Sequence, residues 1–261
     1  MNGRRIFAAV TVGHLGIDIF NSMGPVLLAF LQAPLGLSAA QIGLAVGLFQ
    51  VLAGTTQPAF GWLVDRIGSR FLGPFSVAFN FACMGLAVAA AAATQRFVLF
   101  LIPFALAAVA SGAFHPLGVM HSSTVNLARS ATFTAIFFFC GQLGLTTGPV
   151  LAGLALDRAG LNGIYWLLLL AAPVPLFMAF AMGPRWVHPV PATSQASEDR
   201  TGADDVRAGR RRPVRGGVIA LLGLVFASRS WAMFGTMAFL PIPARNLPQP
   251  GCRLKMIHPC G

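Results

Sequence analysis

Long apolar segments, separated by short polar breaks, make up most of the chain. About 20 consecutive apolar residues span the roughly 30 Å of bilayer hydrocarbon as a helix, and a helix satisfies its own backbone hydrogen bonds there. We therefore predict an all-α membrane protein with seven transmembrane segments. In chain order, segments 1 to 7 are predicted at residues 6–31, 39–64, 71–93, 96–119, 131–155, 161–182 and 217–241.

The composition agrees with this pattern, because 56% of the 261 residues are hydrophobic and only 10% are charged. The net charge of +11 would also suit a nucleic-acid-binding protein, but the basic residues are confined to particular loops. The positive-inside rule accounts for them, so no nucleic-acid partner is expected, and the N terminus is predicted to be cytoplasmic in a protein of the cell membrane. Only Arg96 and Arg158 then lie outside before segment 7. The inner side carries Arg4, Arg5, Arg66, Arg70, Arg129, Arg185, Arg200, Arg207, Arg210, Arg211, Arg212 and Arg215.

The apolar pattern is interrupted once, between segments 6 and 7. Residues 184–216 are rich in Pro, Ser, Asp and Arg, which predicts a basic cytoplasmic linker between a six-helix half at 1–183 and a seventh helix at 217–242. Arginines at the end of this linker either contact anionic lipid or simply set the topology. Residues 243–261 carry prolines and charges every few positions, so no span is predicted there, and we expect a reading-frame shift or a truncated gene.

Several classes of protein are disfavoured by residues that the chain lacks. The four cysteines have no metal-binding or disulfide spacing, so neither a metal site nor a cofactor is expected. GxSxG and HExxH motifs are absent, which argues against an intramembrane hydrolase and for a protein that is not an enzyme. A retinal-binding photoreceptor is disfavoured because segment 7 has no lysine.

Segment 1 carries a polar stripe. His14, Asp18, Asn21 or Ser22, and Pro25 recur at helical spacing and share one face. A charge at mid-membrane costs about 2.5 to 3.5 kcal/mol on insertion scales, so a partner or a functional use is expected. We predict that Asp18 loads and releases a proton and that His14, one turn earlier, tunes or relays it.

Segment 2 carries small residues and two amides. Its glycines predict close helix packing, while Gln50 and Gln57 are candidates to line a cavity. The turn that follows reads Gly61-Trp-Leu-Val-Asp-Arg-Ile-Gly-Ser-Arg70 and resembles the loop signature of the major facilitator superfamily. Ser69 departs from the signature, where a basic residue is usual. The resemblance implies that the loop braces the cytoplasmic side of a two-half carrier and that Asp65 and Arg70 are conformational latches rather than substrate ligands. The matching residues are Gly61, Leu63, Asp65, Arg66, Gly68 and Arg70.

Segment 5 resembles the fifth-helix motif associated with antiporters of that superfamily. The motif residues are Gly144, Gly148, Pro149 and Gly153, and Gln142 precedes them as a candidate cavity residue. The glycines allow close packing, and the proline removes one helix hydrogen bond and so introduces a kink. A generic packing helix would also use glycines.

Further matches resemble the fosmidomycin resistance group of the superfamily. They include His115-Pro116 in segment 4, where Leu117 replaces the acidic residue usual after this pair, and Arg229 in segment 7. His115 is a candidate to line the cavity. Arg229 lies near mid-membrane, where it is expected to pair with Asp18 or to bind an anionic group of the substrate, unless it is a structural arginine that snorkels.

The resemblance implies secondary efflux of a small drug-like or anionic molecule, such as fosmidomycin, in exchange for protons. The predicted mechanism has Asp18 and the substrate competing for Arg229. Two alternatives stay open: an inactive fragment, and a half that assembles with a separate C-terminal half. Small-molecule substrate, protons and membrane lipids are the expected partners.

Overall fold

The computed structural model describes residues 3–183, together with Gly217 and Leu224. Within residues 3–183, six helical segments are long and apolar enough to cross a membrane, which confirms the predicted all-α membrane fold over this part. The predicted linker, tail and nearly all of segment 7, including Arg229, lie outside the described residues. The helices are α1 (Gly3–Leu35), α2 (Ala39–Thr55), α3 (Gln57–Ile67), α4 (Leu72–Thr94), α5 (Phe97–Thr124), α6 (Ser130–Ala159), α7 (Leu161–Ala171) and α8 (Pro173–Met182), with a 3-10 turn at Leu127–Arg129.

Two of the predicted segments are each divided into a pair of helices. Segment 2 comprises α2 and α3, and Pro58 lies in the first turn of α3. Segment 6 comprises α7 and α8, and Pro173 lies in the first turn of α8. Proline is tolerated in a first helical turn because the N–H it lacks would have no partner there. Each pair still forms one apolar crossing, so the prolines interrupt the helices without changing the number of spans.

Local signals define the start of α2 and the end of α3. Ser38 and Gln41 form a reciprocal capping box, in which the Gln41 backbone N–H donates to Ser38 Oγ and the Ser38 backbone N–H donates to Gln41 Oε1. Gly68 ends α3 with a φ of 78°, a left-handed value that glycine adopts without strain. These turns bound the second crossing on both sides of the membrane.

Helix α1 is the central element of residues 3–183. It packs most extensively against α6 and also contacts α4, α5 and α8, while α5 packs on α2, α3 and α4. Nineteen residues of α1 are buried, against three in α2. The polar stripe of α1 is therefore enclosed by protein, as a stripe of this kind in a transmembrane helix must be.

Candidate functional site

The side chain of Asp18 is the centre of a buried polar cluster between α1 and α5. Its Oδ2 lies 3.1 Å from Nε2 of His14, one turn earlier on α1. Its Oδ1 lies 3.6 Å from Nε2 of His115 on α5 and accepts a hydrogen bond from Nδ2 of Asn21 at 3.1 Å. We call His14, Asp18, Asn21 and His115 the Asp18 cluster. Both oxygens of this carboxylate are thus engaged by polar groups of its own half of the protein.

Backbone carbonyls determine which nitrogens of the two imidazoles carry hydrogen. Nδ1 of His14 lies 2.9 Å from the carbonyl oxygen of Phe137, and Nδ1 of His115 lies 2.7 Å from that of Ser111. A carbonyl oxygen only accepts, so each Nδ1 is the donor. Each neutral ring then presents a lone pair at Nε2 toward Asp18. The 3.1 Å contact of His14 has a hydrogen-bond length, and a hydrogen bond between that lone pair and an ionised carboxylate requires a proton between the two atoms.

The surroundings of the cluster are apolar on one side and more open on the other. Asp18 and His14 are 5% and 3% exposed, and the His14 ring stacks on Phe137 with centroids 4.0 Å apart. His115 and Asn21 are only partly buried. Because low-dielectric surroundings strengthen electrostatic interactions, a change of protonation here has large energetic consequences. The partly exposed His115 and Asn21 mark the side from which a proton or a substrate could reach Asp18.

Three glycines on one face of α6 make room for this cluster. A Cβ at Gly141 would come within 2.8 Å of Asp18 Oδ2, and one at Gly144 within 2.6 Å of the Leu15 carbonyl oxygen. A Cβ at Gly148 would overlap Ser22 Oγ and the Ile19 carbonyl oxygen. The hydroxyl of Ser22 in turn donates to the carbonyl oxygen of Gly144 at 3.3 Å. Glycine at these positions therefore lets α6 approach the polar stripe of α1 closely.

The predicted antiporter-like residues do not all belong to this contact. Gly144 and Gly148 lie in it, whereas Gly153 faces open space: a Cβ added there would have no neighbour within 4 Å. Pro149 lies inside α6. Gly141 was not among the predicted site residues, although its spacing of three and seven residues from Gly144 and Gly148 places it on the same helical face.

The remaining predicted cavity residues lie away from the cluster's hydrogen bonds. Gln50 and Gln57 are partly exposed, and Gln142 is exposed on α6. In the part of the chain from residue 3 to residue 183, none of these amides bonds to Asp18 or its partners. Their proposed role in lining a cavity stays a prediction.

The loop signature presents two exposed charged side chains. Asp65 and Arg66 are exposed, and the Arg66 guanidinium lies 4.1 Å from the ring centroid of Trp62. Arg70 is partly buried and lies over Phe71. Gly61 faces Pro116 of α5 at ordinary contact distance, with 3.8 Å to a built Cβ.

The two departures from the family pattern are both buried. Ser69 is 1% exposed, and its hydroxyl lies 2.8 Å from Nε2 of His121 on α5. Leu117 is fully buried and lies beside Gly73 at the start of α4. The position after the His-Pro pair thus belongs to helix packing. In residues 3–183 the other acidic side chains, Asp65 and Asp157, are exposed, which leaves Asp18 as the buried acid of the described segments.

The same cluster has the composition of a possible metal site, although the sequence predicts none. One ligand atom from each of His14, Asp18 and His115 lies within 4.8 Å of the others. The 3.1 Å contact between His14 Nε2 and Asp18 Oδ2 is a hydrogen-bond distance. A proton shared by these two atoms therefore accounts for the contact without an ion.

Comparison with known proteins identifies the family. The family model of the Major Facilitator Superfamily matches residues 8–248. The chain belongs to the Major Facilitator Superfamily. It is also 27% identical over 166 residues to the fosmidomycin resistance protein of Escherichia coli (strain K12). That match covers 64% of this chain and 40% of the relative, so the aligned part spans about two fifths of the relative's length. The resemblance inferred from the loop and helix motifs is thereby confirmed.

Replacement of a glycine in the α1–α6 contact is expected to destabilise the protein. Gly148→Ala adds a Cβ against Ser22 and Ile19, and overpacking of this kind costs about 1 to 3 kcal/mol. We expect a lower midpoint in a thermal unfolding measurement on the purified chain in detergent. Gly153→Ala is the matched control, since its Cβ meets open space on the same helix. Equal midpoints for the two variants would contradict the assigned contact.

Proposed function

We propose that this chain acts in proton-coupled efflux of a small drug-like or anionic molecule across the cell membrane, with its N terminus in the cytoplasm. The observation that carries the proposal is the pair of imidazole Nε2 atoms facing one buried carboxylate, at 3.1 and 3.6 Å. Membership of a transporter superfamily and similarity to a fosmidomycin resistance protein support it. A phosphonate such as fosmidomycin is accordingly the first substrate to test.

Proton release gives the cluster a reason to move. When the proton shared by His14 and Asp18 leaves, the charge of the carboxylate is no longer offset, and it repels the Nε2 lone pairs of His14 and His115, because each Nδ1 is held as a donor by a carbonyl. His115 lies on α5, whereas His14 and Asp18 lie on α1. The repulsion therefore favours separation of α5 from α1. This coupling of protonation to helix position is what alternating access requires of an exchanger.

The substrate step concerns an arginine outside the described residues. In the proposed scheme, protonation of the cluster releases Arg229 to hold an anionic substrate group, and deprotonation restores its pairing with Asp18 and expels the substrate. Within residues 3–183, Asp18 already has two imidazole partners and one amide donor. Once the cluster is protonated, the Asp18 carboxylate therefore does not need Arg229 as a partner. This agrees with the release of Arg229 on protonation in the proposed scheme.

Asp18→Asn is expected to uncouple proton movement from transport. The amide keeps the size of the side chain but removes the negative charge that holds the shared proton. In proteoliposomes, we expect substrate-driven proton flux to fall at least about tenfold, the factor that corresponds to 1.4 kcal/mol. The matched control is Asp157→Asn, an exposed acid near the end of α6, which should leave the flux unchanged.

The same assay is run with and without a separately supplied C-terminal half. Flux that depends on the second half would support the alternative that this chain is a half-transporter. No flux in either case would support an inactive fragment. Normal proton exchange by Asp18→Asn would show that the proposed proton site is wrong.

The two histidines are expected to contribute unequally. His14 is the more buried and lies 3.1 Å from Asp18, whereas the side chain of His115 is 22% exposed and lies 3.6 Å away. Charge interactions strengthen as distance and exposure decrease. We expect His14→Gln to reduce the initial proton flux more than His115→Gln does. The reverse order would place the transferable proton on the α5 side of the carboxylate.

A further inference from the structure

A third helix, α4, reaches the Asp18 cluster through an asparagine. Asn80 lies on α4 and is completely buried. Its Nδ2 donates to the carbonyl oxygen of Ala107 on α5 at 2.8 Å and to Oδ1 of Asn21 on α1 at 3.3 Å. Asn80 does not touch Asp18 in these bonds. It meets the cluster only through the amide of Asn21.

The carbonyl of Ala107 determines the orientation of both amides. Because a carbonyl oxygen only accepts, Asn80 must present its NH2 group there, and the second hydrogen of that group points at Asn21. Asn21 must therefore turn its oxygen toward Asn80. Its own NH2 group is thereby directed at Oδ1 of Asp18, 3.1 Å away, and at Oγ of Ser111, 2.9 Å away.

The remaining atom of Asn80 argues against a purely structural role. Its Oδ1 is buried and has no hydrogen-bond partner among the described residues. A buried polar atom without a partner destabilises a fold, and an apolar side chain of similar size would avoid that cost. Both hydrogens of the Asn80 amide are donated, whereas its oxygen accepts no hydrogen bond from the described residues. Asn80 therefore acts on its surroundings as a donor to Ala107 and Asn21.

We propose that Asn80 is a positioning residue that, through Asn21, holds a hydrogen bond on the Asp18 carboxylate and thereby sets the pH at which the cluster takes up its proton. The proposal rests on the proton site proposed above. Without Asn80, the Asn21 amide is free to rotate and to present its oxygen to the carboxylate. The carboxylate then loses a stabilising donor and retains the shared proton to higher pH.

Groups from four helices face Asp18 or its hydrogen-bond partner Asn21. From α1 and α5 these are the imidazoles of His14 and His115. Helix α6 presents Gly141 and Gly144 to this site. The contribution of α4 is the neutral Asn80 amide, through Asn21. The two imidazoles are therefore the resonances through which protonation of the cluster can be followed.

Protonation can be measured without transport. The chain, labelled with 15N-histidine and held in lipid nanodiscs, is titrated by NMR from pH 4 to 9, and His14→Gln and His115→Gln identify two of the five histidines. In Asn80→Leu, we expect the midpoint of the cluster to rise by about one pH unit, as for loss of a hydrogen bond to a charged group. Ser76→Ala is the matched control, because Ser76 is buried one turn earlier on α4 and donates only to Gly73 of its own helix.

A double variant tests whether Asn80 acts through Asn21. Asn21→Leu alone should raise the midpoint similarly, and adding Asn80→Leu should then change it no further. If Asn80→Leu does not fold, the same titration is run on Asn80→Ser. The single hydroxyl hydrogen of serine cannot bond to both Ala107 and Asn21, so this variant should also raise the midpoint. An unchanged midpoint in the Asn80 variants, or an additional shift in the double variant, would overturn the proposal. Absence of any titration of His14 and His115 in the native chain would instead refute the proton site itself.

Discussion

A buried carboxylate in the middle of a membrane helix is the constraint on which this structure depends. Neither lipid nor bulk water solvates Asp18, so protein groups must do so, and they come directly from α1 and α5 and, through Asn21, from α4. His14 is available for this purpose because it lies one turn away on the same face. His115 and the Asn80 amide require α5 and α4 to pack at particular registers. The polar groups thus specify how the apolar helices fit together, which hydrophobic burial alone does not do inside a bilayer.

The close approach of α6 is the steric counterpart of this electrostatic requirement. Gly141, Gly144 and Gly148 leave space that His14, Asp18 and Ser22 occupy, and side chains at these positions would collide with them. The cluster is thereby enclosed on the α6 side without a polar side chain of α6 in its hydrogen bonds; α6 contributes the backbone carbonyls of Phe137 and Gly144, which accept from His14 and Ser22. The glycines themselves have no side chain that could compete for hydrogen bonds to Asp18. The charge of the cluster is consequently balanced by α1 and α5, and a change in that charge acts on the contact between these two helices.

Sequence periodicity was sufficient for the fold and for half of the site. Apolar segment length predicts each of the six crossings that are described, and helical spacing predicts that His14 and Asp18 meet. The breaks at Pro58 and Pro173 were not predicted, because a proline in a first helical turn does not alter the apolar pattern. His115 was assigned to the cavity and not to Asp18, since contact between residues 97 positions apart depends on tertiary packing. Asn80 was overlooked, although a lone amide in an apolar segment is itself a signal of a buried polar partner.

Two residues that depart from the expected motifs, Ser69 from the loop signature and Leu117 from the pattern of the fosmidomycin resistance group, both have structural roles. Ser69 stands where the loop signature usually has a basic residue; it is buried and bonded to His121, which ties the loop after α3 to α5. Leu117 stands where that group usually has an acid, and it packs beside Gly73 at the start of α4. An uncharged side chain is therefore found at both positions, one in a hydrogen bond and the other in an apolar contact. Within residues 3–183 the buried acidic side chain is that of Asp18, so any proton that passes through this half of the protein has that carboxylate at which to bind.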